Sequence, residues 1–170
     1  IGLMAVQLVK ALGASKVILT GTRKSRLDVG KEIGADVVID VTKEEPIKIV
    51  LDETDGLGAD LVIECSGAKE AVAQAFEMVI KGGRLSLIGI PHEKPTVNIQ
   101  KFVLFDIVAA GVRGEGMGDC DRSLALMRDG KIQGKPLITH HFPIEQISKG
   151  FETYLNRIDG AIKVIIRPNE

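Results

Sequence analysis

The sequence predicts an α/β protein organised around a doubly wound parallel sheet, on two observations. Short runs of aliphatic and β-branched residues recur without polar alternation, as strands covered on both faces do. Between them stand amphipathic stretches, several closed by glycine, at the spacing of right-handed βαβ units.

From its first residue to Gly13 the chain reads as a helix in progress. Only Gln7 and Lys10 are polar between Leu3 and Leu12, so this helix is expected to be buried nearly all round, with Gly13 as its C-terminal cap. Residues 16–20 are expected as a buried strand, 25–33 as a helix closed by Gly34, and 37–39 as a strand. A helix over 46–53, opened by acids and a proline, leads to a strand over 60–63. A helix over 69–80, ending at Gly82 and Gly83, leads to a strand over 84–88. Past Pro91 the pattern loosens: a short strand at 96–99, a helical turn at 100–105 and a strand at 106–112. Helices over 119–128 and 144–155 and a strand over 163–166 complete the reading. No repeat, low-complexity tract or clear linker is visible. A helix at residue one predicts a parent chain that begins upstream, so the sheet is expected to lack its first strand and glycine turn here. That strand belongs between those starting at Lys16 and Asp60.

Composition narrows the function. With 45% hydrophobic and 26% charged residues and a net charge of −1, nothing favours nucleic acid or an anionic membrane surface as partner. No apolar run approaches the ~20 residues of a membrane span, and no charged leader precedes the first apolar stretch. A cytoplasmic location is expected. Cys65 and Cys120 are far apart and form no metal-spaced pair, which favours two thiols in a reducing compartment over a disulfide.

Two features carry chemistry. Gly2, in the first turn of a helix feeding a βαβ unit, stands where the third glycine of a G-x-G-x-x-G fingerprint would sit, with the helix N-terminus facing a pyrophosphate. Alone this is a weak signal. About 20 residues further on, where domains of this Rossmann type meet the adenosine ribose, the chain reads Thr20-Gly21-Thr22-Arg23-Lys24-Ser25-Arg26, with no acid before Asp28. A carboxylate there would accept from the ribose hydroxyls of NAD and repel a 2′-phosphate. Glycine leaves the phosphate room, a hydroxyl can donate to it, and arginines supply charge-assisted bonds. NADP(H) is therefore favoured, with NAD(H) possible. The competing reading is a solvated basic helix start, which the helix dipole disfavours.

The ordered set of motifs resembles the C-terminal portion of the medium-chain dehydrogenase/reductase family, which includes zinc-dependent alcohol, polyol and threonine dehydrogenases. Five stretches carry the resemblance: Ile1-Gly2-Leu3-Met4-Ala5, Lys31-Glu32-Ile33-Gly34-Ala35-Asp36, Asp60-Leu61-Val62-Ile63-Glu64-Cys65-Ser66-Gly67, Gly82-Gly83-Arg84-Leu85-Ser86-Leu87-Ile88-Gly89, and Leu137-Ile138-Thr139-His140-His141-Phe142-Pro143. The last, followed by Gly150-Phe151-Glu152, is most similar to the sorbitol dehydrogenase branch.

The resemblance implies a dinucleotide-binding domain over 1–135 and a C-terminal segment over 136–170 that returns towards a catalytic domain. It implies Gly2 at the pyrophosphate, and Gly21, Thr22, Arg23 and Arg26 around the adenosine ribose. Cys65, Ser66 and Gly67 would lie beside the adenosine. Backbone groups at Ile88, Gly89 and Ile90, and at Val112, Arg113 and Gly114, would hold the nicotinamide and its carboxamide. Arg113 stands where polyol dehydrogenases usually carry an apolar residue. The implied reaction is hydride transfer between a secondary alcohol or ketone and nicotinamide, with zinc polarising the oxygen. Zinc is expected in the parent protein and not in this chain, because the family's ligands lie in an absent N-terminal domain. A homodimer or homotetramer is implied through an edge strand from Pro95 to Ile99.

Other residues have plainer readings. His140 and His141 adjoin on an extended segment and point to opposite sides, so they are read as structural rather than metal ligands. His92 is read as a solvated loop residue, Glu64 as a strand-end carboxylate satisfied by backbone, and Lys163 as remote from the pyrophosphate. Two alternatives remain: a zinc-free quinone or enoyl reductase of the same family, and a module that binds NADPH without turnover.

Overall fold

The computed structural model describes residues 1–114, 116 and 118–168. Helices and strands alternate. Helix α1 (Gly2–Ala11), strand β1 (Ile18–Gly21), helix α2 (Lys24–Glu32) and strand β2 (Val37–Asp40) come first. Helix α3 (Pro46–Asp52), strand β3 (Ala59–Glu64), helix α4 (Lys69–Met78) and strand β4 (Val79–Leu87) follow. Then come α5 (Ile99–Leu104), β5 (Val108–Gly111), α6 (Asp119–Arg128), β6 (Ile138–Pro143), α7 (Ile147–Asn156) and β7 (Lys163–Arg167). Among these residues no helix is long and apolar enough to cross a membrane.

Every strand pairing is parallel, as the unalternating strands predict. β1 pairs with β2, β3 with β4 and β4 with β5, while β6 and β7 form a pair of their own. β1 and β3 share no strand partner, which leaves the gap expected between the strands that start near Lys16 and Asp60. Three apolar clusters unite them. One joins α1, β1 and the loop after α2 through Val6, Val17 and Ala35. A second packs α4 onto β4 through Val72, Ala75, Phe76, Val79 and Leu85, with Ile107 beside them. The third bridges the units: Ile39 of β2, fully buried, meets Val50 of α3 and Met78 of α4, with Val62 of β3 packed against them.

Several boundaries differ from expectation for identifiable reasons. Helix α4 stops at Met78, two residues early, because Val79 turns extended (φ −78°, ψ 139°) and pairs with Ala59. Gly58 makes that approach possible: a Cβ there would lie 2.7 Å from the Met78 carbonyl oxygen. The stretch expected as a strand at 96–99 is irregular up to Asn98 and helical from Ile99. Asn98 caps α5, its Oδ1 accepting from the Lys101 N–H at 3.0 Å. Val97, partly buried, packs on the α4 cluster. The edge strands of that sheet are β3 and β5. The segment 144–155 opens as a 3₁₀ turn, Ile144–Gln146, before α7. The extended segment carrying His140 and His141 is strand β6. Helix α1 buries Leu3, Val6 and Gln7 and leaves its other faces half-buried.

Polar contacts pin the elements at both ends of the chain. Gln7 reads the backbone of Gln133, its Nε2 donating to the carbonyl at 3.0 Å and its Oε1 accepting from the N–H at 2.7 Å, which ties α1 to the segment before β6. Asp36 accepts from the Val17 N–H and from Lys10 Nζ, each at 2.6 Å, joining β2's approach to β1 and α1. The Lys10 ammonium, then the Val17 N–H, holds the Asp36 carboxyl below its ordinary 3.8. Asp40 is held at about 2 by the Thr42 hydroxyl and then Lys43.

Both folded-state values lie below the unfolded ones. Their contribution to stability is therefore present above about pH 4 and is lost as pH falls through about 2. Urea midpoints measured along that range should decline, and the Asp36→Asn, Asp40→Asn double variant should begin lower and decline less. A double variant with the wild-type slope would show that other groups govern the acid limb.

Candidate cofactor site

The carboxyl ends of β3, β4 and β5 lie along one edge, where open α/β sheets bind ligands. The chain leaves β3 at Glu64, a carboxylate only 5% exposed. Burial of a charge requires full hydrogen bonding, and Glu64 has it. The Ser66 N–H and Oγ donate to its Oε1 at 2.8 and 2.5 Å, and the Gly67 N–H donates to both carboxylate oxygens at 3.1 and 3.0 Å. Its main-chain carbonyl accepts from the N–H groups of Ile88 and Gly89, at 2.8 and 3.1 Å. One residue thus positions the turn after β3 and the end of β4 together. The reading of Glu64 as a satisfied strand-end carboxylate agrees with this geometry.

The two turns interlock. A Cβ on Gly89 would collide with the Gly67 nitrogen and lie 2.8 Å from the Ser66 carbonyl carbon, and Gly67 holds φ +70° against the Ile90 backbone. The Val112 N–H donates to the Leu87 carbonyl at 2.9 Å, so the end of β5 joins the same edge. Arg113 and Gly114 follow, both exposed, with Gly114 at φ +78°. Helix α1 points its N-terminus here: a Cβ on Gly2 would lie 3.9 Å from Cys65 Cβ. Burial, and then the Glu64 charge, pushes the Cys65 thiol up, so it is a packing group and no thiolate. Gly2, Cys65, Ser66, Gly67, Ile88, Gly89, Ile90 and Val112 therefore form one continuous edge, and most of its polar groups are backbone.

The second expected group stands on the other unit, at the carboxyl end of β1. Gly21 closes β1, and a Cβ there would press on Leu27 Cδ2 at 3.2 Å. Thr22 is exposed, Arg23 occupies the N-cap of α2 with no side-chain cap, and Arg26 sits in the first turn. No acid lies in that turn. Lys24 is neutralised by Asp28 four residues on, at 2.7 Å. Burial, then the charges of Arg157 and Arg26, lowers the Arg23 pKa. Sequence reasoning missed Arg157, which follows α7 and approaches Arg23 only through tertiary packing.

His92 is exposed beyond β4, and the His140 ring stacks on Phe142 at 6.4 Å. Lys163 opens β7, and its carbonyl accepts from the Thr139 hydroxyl at 3.2 Å. Among the described residues no group of three or more His, Cys, Asp or Glu side chains is placed to hold a metal ion. These residues do not fit a zinc site.

The parallel α/β layers and this strand-end edge are those of the Rossmann-like cofactor-binding domain of alcohol dehydrogenases. The chain belongs to the family described as zinc-binding dehydrogenase, whose profile matches residues 1–129. It is 39% identical over 170 residues to an L-threonine 3-dehydrogenase of Bacillus licheniformis, covering 99% of this chain and 49% of that protein. It is 34% identical to a sorbitol dehydrogenase of Halalkalibacterium halodurans, with 99% and 49% covered. An alcohol dehydrogenase structure from Thermotoga maritima superposes with TM-score 0.89 at 28% identity, covering 98% of this chain and 47% of that one. The chain spans about half the length of the curated relatives it matches.

The Glu64 cage and the Gly67–Gly89 contact should be sensitive to small changes. Glu64→Gln turns an amide NH₂ towards N–H donors and should cost about 1–3 kcal/mol in urea unfolding. Gly89→Ala overpacks the interlock and should cost a similar ~1–3 kcal/mol. Wild-type stability in both variants would mean that these turns relax freely.

Proposed function

We propose that this chain is the cofactor-binding part of an NADP(H)-linked alcohol or polyol dehydrogenase. The hydride would move between a secondary alcohol or ketone carbon and the nicotinamide. The observation that carries the cofactor choice is the start of α2. Arg23 and Arg26 flank Gly21 and Thr22 with no carboxylate in the turn, and the one lysine there is already paired. The family membership and the named relatives, which include threonine and sorbitol dehydrogenases, support oxidation of a CH–OH group.

A bound nicotinamide dinucleotide supplies the carbon that accepts or gives up hydride. The chain's own residues bind and orient it. The N–H groups opening α1 at Gly2 face the pyrophosphate, where the helix dipole favours negative charge. Backbone groups at Ile88, Gly89, Ile90, Val112, Arg113 and Gly114 orient the nicotinamide, on a frame held rigid by Glu64. Gly21 sets no carboxylate against a 2′-phosphate, to which Thr22 donates and around which Arg23 and Arg26 close. With no metal-ligand cluster among the described residues, this chain's part is to hold the cofactor, and zinc and the substrate pocket belong to other parts of the protein.

Each well-placed arginine bond to a phosphate contributes roughly 1.5–3 kcal/mol. After a discount for exposure, two of them give an NADP(H) preference on the order of 10²–10³. Arg23→Ala should weaken NADP(H) strongly and NAD(H) little. Gly21→Asp should shift the preference towards NAD(H) by charge repulsion of the 2′-phosphate. The test is kcat/KM for both cofactors at fixed ionic strength, on the protein in its full length. Wild-type preference for NAD(H), or equal weakening of both cofactors by Arg23→Ala, overturns the reading.

A further inference from the structure

Helix α7 ends in a turn that is bent twice into the left-handed region, at Arg157 (φ 55°) and Asp159 (φ 48°). The 3₁₀ turn Ile158–Gly160 that follows is seated on the first turn of α2. Gly160 allows that approach: a Cβ there would lie 3.1 Å from Ser25 Cβ and 3.2 Å from Ser25 Oγ. The turn therefore carries Arg157 to the place where β1 gives way to α2, between the β6–β7 unit and the β1–β2 unit. Its charge is felt at Arg23, second only to burial in lowering that residue's pKa. Three guanidinium groups, Arg23, Arg26 and Arg157, thus gather at one uncapped helix start. None of the three side chains makes an ion pair or a hydrogen bond among the described residues. The nearest acid in sequence on α2, Asp28, is held by Lys24 through both carboxylate oxygens.

Like charges held together repel, and a helix N-terminus adds partial charge of the same sign. A dianion at their centre adds an attraction to each guanidinium and to the helix terminus, which offsets these repulsions. An Arg fork can also bond a phosphate through two N–H groups at once. We propose that Arg157 is a specificity-determining residue for an adenosine 2′-phosphate, the third guanidinium around it, delivered from the C-terminal unit. This rests on the NADP(H) reading and extends it: the 2′-phosphate cross-links the α2 start to the α7–β7 turn, whereas a nucleotide without that phosphate leaves the two unlinked.

The test uses adenosine 2′,5′-bisphosphate and adenosine 5′-monophosphate as probes, titrated calorimetrically into the full-length protein at one low ionic strength. Wild type should bind the bisphosphate roughly 10²-fold more tightly than the monophosphate. Arg157→Asn, whose new side chain tolerates the left-handed backbone, should weaken the bisphosphate about tenfold and leave the monophosphate within about twofold. Arg157→Lys should recover part of the loss, by charge without the fork. Hydrogen exchange at 157–160 should slow with the bisphosphate and not with the monophosphate.

If wild type does not distinguish the two probes, the NADP(H) reading itself fails and this inference falls with it. If wild type distinguishes them, Arg23→Ala abolishes the difference and Arg157→Asn preserves it, the cofactor reading stands and the role of Arg157 is overturned. Equal weakening of both probes by Arg157→Asn also overturns it, since that marks a residue needed only for structure.

Discussion

The buried carboxylate of Glu64 is the constraint on which the cofactor edge depends. A carboxylate removed from water is tolerated only when its lone pairs are filled, and here the turn that follows it in sequence fills them. That requirement fixes the path from Ser66 to Gly67. With this path set, Gly67 and Gly89 must meet backbone to backbone, and the ends of β3 and β4 become one surface. The end of β5 joins it through the Val112–Leu87 hydrogen bond. Ordering of the edge therefore does not require the ligand, and a preorganised edge costs less to occupy.

The start of α2 follows the opposite principle. A helix start is stabilised by an acid or a neutral cap, and α2 has neither, with arginines at its N-cap and in its first turn. The helix is held by packing instead, through Leu27 buried beneath Gly21. Local stability is given up where charge is concentrated, as functional sites commonly do. The two regions differ accordingly in what substitution can change. The β3–β4 edge presents backbone groups that most side-chain replacements leave in place. The α2 start presents side chains, which a few replacements can alter.

Much of this was legible in the sequence. Strand and helix order and parallel pairing followed from unalternating aliphatic runs, glycine stops and the order of motifs. The misplaced boundaries share a cause: each was decided by a contact outside its own segment. Nothing in 79–83 announces that Val79 pairs with Ala59, since the space for it comes from Gly58. The aliphatic, β-branched character of 96–99 suggested a strand, and the side chain of Asn98 with the pull of the α4 cluster on Val97 made it a helix entry. Gln7 looked like a polar interruption on an apolar helix, yet the Gln133 backbone fills its bonding capacity and buries it.

Arg157 is the strongest case of that limit. Its neighbours in sequence, Asn156 and Ile158, carry no phosphate-binding pattern, and only the Gly160–Ser25 approach brings it near Arg23. That approach has an energetic meaning, because contact between the two units concentrates like charge at their junction. The Gly160–Ser25 approach is made against that repulsion, and salt, which screens exposed charges over about 10 Å at 0.1 M, relieves part of it. A ligand that supplies the missing negative charge strengthens the junction by the same terms that opposed it. On the proposed reading, cofactor recognition and the attachment of the C-terminal unit are two readings of one electrostatic balance.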